Sequence, residues 1–147
     1  MLNLVFCRTG RARQDSAWSF LTASYLQRLR SYASVKEEIF LTEERFLSAL
    51  ERRAHGFYLF LLDQRGKQLS SAQFAQQLRS LEEAGHHELI FCIGPADGFS
   101  DSTRSRANFL LSFGPMTLPH QMAALLLAEQ LYRAFTILAG HPYHSGH

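Results

Sequence analysis

Short unbroken apolar runs alternate along this chain with longer stretches in which apolar residues recur every three or four positions. The runs predict strands and the spaced stretches predict helices. Residues 2–7 (LNLVFC) open the chain as a strand, and after a break at 10–14 helical spacing runs through Trp18, Leu21, Tyr25, Leu26 and Leu29. Residues 35–41 predict a second, weaker strand. Thr42, with Glu43, Glu44 and Arg45 behind it, caps a short helix carrying Phe46, Leu47 and Leu50. Residues 57–62 (FYLFLL) are apolar without interruption, as in a strand buried on both faces, and Asp63-Gln64-Arg65-Gly66 predicts a turn after it. Ser70 caps a helix with Phe74, Leu78 and Leu81 that ends at Gly85. A fourth strand at 88–93 (ELIFCI), a short helical segment at 101–106, a short strand at 109–113 and a long helix from Pro119 complete the pattern.

Strands separated by helices imply βαβ units and a mostly parallel α/β sheet covered on both faces. Ligands bind such sheets beyond the carboxyl ends of the strands. Leu62-Asp63, Ile93-Gly94 and Phe113-Gly114 are strand ends with suitable turns, and Gly94, Gly98 and Gly114 mark sharp turns or close approaches of the backbone. Together they predict a pocket walled by backbone amides and carbonyls. On the last helix, Met122, Leu125, Leu126, Leu127, Leu131, Tyr132, Phe135, Ile137 and Leu138 wrap more than one face. A helix apolar nearly all round is buried nearly all round. One sheet covers one side of it, and a second copy of the chain is the economical cover for the other, which predicts a homodimer through this helix. Pro119 fits its first turn, with Thr117 or Leu118 near the cap. Glu129 and Arg133 lie four apart and pair along it, either as a structural ion pair or to hold the arginine ready for a phosphate.

Composition narrows the class. A chain of 147 residues, 46% apolar and 19% charged, is the size and make-up of one globular domain. The N-terminus MLNLVFCRTG lacks the basic region of a secretory leader, and no uninterrupted apolar run approaches the ~18 residues of a membrane span. A cytoplasmic protein without a membrane partner is therefore expected. Cys7 and Cys92 sit inside apolar runs and read as reduced, buried strand residues. The net charge is only +2, but residues 1–55 hold nine Lys/Arg against six Asp/Glu. The excess concentrates at Arg8, Arg11 and Arg13, in what reads as a solvated loop that also permits an anionic partner. Dinucleotide, P-loop, nucleophile-elbow and zincin motifs are all missing. His141, His144 and His147 crowd the tail with no cysteine or carboxylate beside them, so no metal site is expected there.

The C-terminal third carries a specific resemblance. Residues 116–121 (MTLPHQ), 126–134 (LLAEQLYRA) and 141–144 (HPYH), in that order, resemble the RlmH family, bacterial methyltransferases acting on N3 of a pseudouridine in 23S ribosomal RNA. Residues 61–71 (LLDQRGKQLSS) and 93–100 (IGPADGFS) match two further blocks, so the resemblance spans the chain. It implies a SPOUT-type domain over 1–147, with a trefoil knot in a cofactor region at roughly 87–147, a homodimer, and S-adenosylmethionine (SAM) as cofactor. By matching motifs, it places the cofactor at Leu62, at Gly94, and along Phe113, Gly114, Pro115, Met116, Thr117 and Leu118. It also points to Arg133, Tyr143 and His144 as RNA contacts, the arginine for phosphate and the rings for stacking on an unpaired base. Arg8, Arg11 and Arg13 extend that surface. The proton leaving N3 has three candidate acceptors, His120, His144 and Asp97.

The sequence departs from the family pattern at Pro95, where a second glycine is usual, and at Ser145, where a basic residue is usual. Proline removes one amide donor and restricts Gly94. A ribosome-binding protein that keeps the fold without catalysis, and a SPOUT enzyme acting on a different RNA, are the competing readings.

Overall fold

In the computed structural model of the chain, residues 1–10, 16–95 and 97–144 are described, His144 by its backbone alone. Five strands form one sheet, β1 (Asn3–Thr9), β2 (Ser34–Phe40), β3 (Phe57–Gln68), β4 (Glu88–Ile93) and β5 (Phe109–Ser112), in the order β2-β1-β4-β3-β5. Every pairing is parallel. Parallel neighbours need crossovers, and the helices α1 (Ala17–Leu29), α2 (Glu43–Arg52), α3 (Ser71–Glu83) and α4 (Asp101–Arg104) supply them. Each starts at a hydroxyl residue whose side chain accepts a backbone N–H from its first turn: Ser16, Thr42, Ser70 and Ser100. Ser70 and Gln73 complete a capping box.

The strand alternation divides the core in two. Leu4, Phe6, Phe60, Leu62, Leu89, Phe91 and Ile93 face α1, α3 and the last helix, α5 (His120–Ala139). Val5, Cys7, Leu59, Leu61, Ile90 and Cys92 face α2 and Phe99. Burial pushes the Cys92 thiol pKa up, so it stays protonated as a small apolar filler. The two-period alternation of the sheet thus covers both faces, as the apolar runs predict.

Three features differ from the sequence reading. β1 runs on to Thr9, paired with Phe40, so Arg8 is a strand residue and not part of a loop. β3 does not end at Leu62: Leu62 and Lys67 both oppose Leu111 of β5, and residues 63–66 are extruded between them as a bulge. Pro119 is the N-cap of α5, which begins at His120 and has no side-chain cap. By length and composition α5 would cross a membrane, with mean hydropathy 1.3 over its best window. Here it is a core helix, with Ala124, Leu127, Ala128, Leu131 and Ala134 wholly buried on the sheet between α1 and α3. Leu126 at 36% exposed, with Met122 and Leu125 half-buried, forms a second apolar side turned outward.

Candidate cofactor cleft at the strand ends

The loops leaving β3, β4 and β5 meet at the carboxyl edge of the sheet and line a cleft open to solvent. Leu62, Ile93, Leu111, Phe113 and Leu118 give it apolar walls, and Gly94, Pro95, Gly98 and Gly114 expose backbone. This is the character of a small-molecule site, apolar with a few fixed polar groups. Gly94 admits no side chain, because a Cβ there would sit 2.7 Å from the ring of buried Phe99. Gly114 turns the chain at φ +126°, a conformation few other residues adopt. Pro95 opens a tight turn in which the Gly98 amide donates to its carbonyl at 2.8 Å.

Of the residues picked out by resemblance for the cofactor, Leu62, Gly94, Phe113, Gly114, Met116 and Leu118 line this cleft. Pro115 and Thr117 belong to the same loop but are exposed outside it, and the Thr117 hydroxyl donates to Gln64 Oε1 at 3.1 Å. Asp63 and Gly98, marked by the strand-end and glycine pattern, also line the cleft, as do Gln64 and Ala123, which were not anticipated. The Asp63 carboxylate is fully buried. It accepts from the Arg65 amide (2.9 Å), Nε (3.0 Å) and a terminal guanidinium nitrogen (2.9 Å), and Arg104 Nε lies 3.2 Å away. These donors, Arg65 foremost, hold its pKa below the usual carboxylate range despite burial.

His120, a candidate proton acceptor, sits at the cleft edge as the first residue of α5. Its Nδ1 donates to the Gly94 carbonyl at 2.9 Å, which fastens α5 to the end of β4. Asp97 is exposed in the turn after Pro95. His144 lies in the one-turn 3₁₀ segment Pro142–His144.

The remaining candidates gather at the other end of α5. Arg133 forks onto Glu129, at 3.1 and 2.6 Å from Oε2, and Tyr143 donates to the same oxygen at 2.8 Å. The arginine also stacks 5.1 Å over the Tyr143 ring. Burial, then the contacts with Tyr25 and Glu129, push the Tyr143 phenol pKa up, so it remains a donor. Tyr132 meets Tyr143 edge-on, and Arg28 of α1 lies over Tyr25 and Tyr132. Tyr25 and Arg28 are three apart on one helix face, a spacing that marks them as neighbours in sequence alone. Arg8 does not join this surface: it is 8% exposed, lies over the Phe6 ring, and burial lowers its pKa. Its inward-facing strand position overturns the loop reading. Arg11 and Arg13 fall outside the described residues. Among the described residues no cluster of three or more His, Cys, Asp or Glu is placed to hold a metal.

An all-parallel sheet with a backbone-walled cleft at its carboxyl edge and a returning C-terminal helix defines an α/β domain with a strand-end ligand site. Residues 2–144 match the family described as "Predicted SPOUT methyltransferase", and the chain belongs to that family. It is 44% identical over 135 residues to the Ribosomal RNA large subunit methyltransferase H of Koribacter versatilis, covering 91% of this chain and 92% of that one. The protein of the same name from Paramagnetospirillum magneticum is 38% identical over 154 residues, covering 97% and 99%. Among solved structures, the SpoU methyltransferase AviRb of Streptomyces viridochromogenes, in complex with the cofactor AdoMet, shares the fold. Its TM-score is 0.51 at 14% identity, over 95% of this chain and 61% of that one.

Proposed function

We propose that this chain is a SAM-dependent methyltransferase of large-subunit ribosomal RNA, acting on N3 of a pseudouridine in 23S rRNA on the assembled ribosome. The observation that carries the reading is the cleft built from three strand-end loops, in a chain alike over nearly its whole length to relatives named as large-subunit ribosomal RNA methyltransferases. The cleft suits SAM: apolar walls for the adenine and methionine carbons, backbone at Gly94 and Gly114 for polar edges, and a carboxylate at Asp63 already neutralised by arginines. SAM supplies a methyl group already activated on a sulfonium. The protein's part is then to orient donor and acceptor and to exclude water. The Nδ1–H donated to Gly94 leaves the lone pair of His120 on Nε2, so His120, Asp97 in the turn and His144 in the tail all remain acceptors for the N3 proton.

RNA binding belongs to Arg133, Tyr143 and His144, with Arg28 and Tyr25 beside them. Arg133 is thirteen residues beyond His120 on α5, about 20 Å along the helix axis at 1.5 Å per residue. One protomer therefore separates its RNA cluster from its cleft. Two copies packed antiparallel through the outward apolar side of α5 bring the cluster of one to the cleft of the other, which makes a cytoplasmic homodimer the working unit. The domain spans 1–147. Its C-terminal region is knotted, a reading supported by α5 returning from the edge strand β5 to touch Gly94 at the centre of the sheet.

The test is transfer of labelled methyl from SAM to 23S rRNA in ribosomes lacking the modification, with the product nucleoside identified by mass. Label on N3 of a pseudouridine is expected. Saturating SAM binding with no transfer to any ribosomal substrate would overturn the catalytic reading.

A further inference from the structure

The bulge 63–66 has an odd set of contacts for a strand irregularity: it reaches both other walls of the cleft. Toward the β4 loop, Arg65, held by three hydrogen bonds to Asp63, extends a guanidinium nitrogen to the Phe99 carbonyl at 3.2 Å. Arg104 of α4 comes to the same carboxylate from the segment that leads to β5. Toward the β5 loop, the Gln64 carbonyl accepts from Ser112 Oγ at 3.1 Å, and the Gln64 side chain accepts from Thr117 Oγ1 at 3.1 Å. Ser112 Oγ in turn receives the Gly114 amide at 3.0 Å. Gly66 lets the bulge lie flat on β5, since a Cβ there would meet the Leu110 backbone oxygen at 2.4 Å. A buried carboxylate is costly unless it is fully paired, and here the pairing groups are the same ones that fix the loops.

We infer that this bulge is the positioning element of the cofactor cleft, with Asp63 and Arg65 as positioning residues that hold all three walls in the SAM-binding geometry before SAM arrives. The inference rests on the methyltransferase reading. Arg65 does not line the cleft and its side chain is half exposed, so its replacement removes no atom of the cavity lining and acts through the pairing of buried Asp63. A preformed site avoids the ordering cost of binding, and loosening the bulge restores that cost.

The experiment is SAM titration calorimetry on the full chain and its variants, with thermal unfolding alongside. Arg65→Met loses both the fork on Asp63 and the Phe99 link, and about a 10-fold or greater loss of SAM affinity is expected, at roughly one decade per 1.4 kcal/mol. Arg65→Lys keeps the charge and one of the two links, and should fall between. Thr117→Val loses one neutral hydrogen bond on an exposed loop, worth about 2- to 10-fold. The decisive readout is the double variant. If the bulge connects the walls, Thr117→Val adds little once Arg65→Met has freed Gln64, so the two effects are not additive. Additive effects, or wild-type affinity in folded Arg65→Met, overturn the inference. Should Arg65→Met fail to fold, Arg65→Lys with and without Thr117→Val carries the same comparison. A wild-type chain that binds no SAM, alone or with ribosomes, overturns the methyltransferase reading itself and this inference with it.

Discussion

Two neighbouring leucines on α5 separate folding from assembly. Leu127 is wholly buried in the main core, while Leu126 is 36% exposed on the outward side. Replacing Leu127 by glutamate loses the transfer free energy of a buried leucine, about 1.5–3 kcal/mol. It also puts an unpaired carboxylate among apolar residues, for a further several kcal/mol. The sum reaches the ~5–15 kcal/mol that holds a domain together, so Leu127→Glu should not fold. Leu126→Glu changes an isolated protomer by about 0.5 kcal/mol or less, as surface substitutions do. In a dimer sealed by this side of α5 the same change buries a charge in each copy. A penalty of about 3 kcal/mol raises the dimer dissociation constant by roughly two orders of magnitude. Thermal unfolding and sedimentation across a concentration series read the two effects separately. A cooperatively folded Leu127→Glu at the wild-type melting temperature would refute the core placement of α5. A Leu126→Glu dimer as tight as wild type would refute this side of the helix as the interface.

Further outcomes follow from the cleft and the RNA cluster. Arg133→Ala should abolish most rRNA methylation while SAM affinity and dimer mass hold; a lost dimer would make Arg133 a purely structural partner of Glu129. Gly94→Ala places a Cβ within 3 Å of three Phe99 ring atoms, an overpacking of about 1–3 kcal/mol. At roughly 2–4 °C per kcal/mol, the melting temperature should fall by about 2–12 °C, together with SAM affinity. Asp63, whose pKa is lower in the folded state, contributes stability that is fully present above its unfolded value near ~4 and is lost as pH falls through the lowered folded value. The stability gap between wild type and Asp63→Asn should therefore be flat from pH 5 to 7 and close below about pH 4. A gap that stays open in strong acid would show that the charge of Asp63 is not what the arginines stabilise.

Much of the cleft was legible because strand ends announce themselves locally. Gly94 and Gly114 stop apolar runs, and parallel topology alone brings such ends to one edge. The bulge was not legible, because Asp63-Gln64-Arg65-Gly66 is ordinary turn chemistry until β5, more than forty residues on, arrives to pair with the chain on both sides of it. Asp followed two residues later by Arg is the local trace of that motif. Arg8 misled for a similar reason: a charged residue two positions before Gly10 and close to further arginines reads as loop, yet β1 pairs with β4 as far as Arg8 and with β2 as far as Thr9. The Glu129–Arg133 pair was visible from spacing, whereas its closure by Tyr143 depends on the turn at Gly140 that folds the tail back along α5.

The most direct measurement of the central claim is calorimetric titration of the purified chain with SAM, with its mass in solution determined in the same buffer. The account predicts saturable micromolar binding, one SAM per chain, to a species of twice the chain mass. Absence of binding at millimolar SAM, both alone and with ribosomes added, would contradict it.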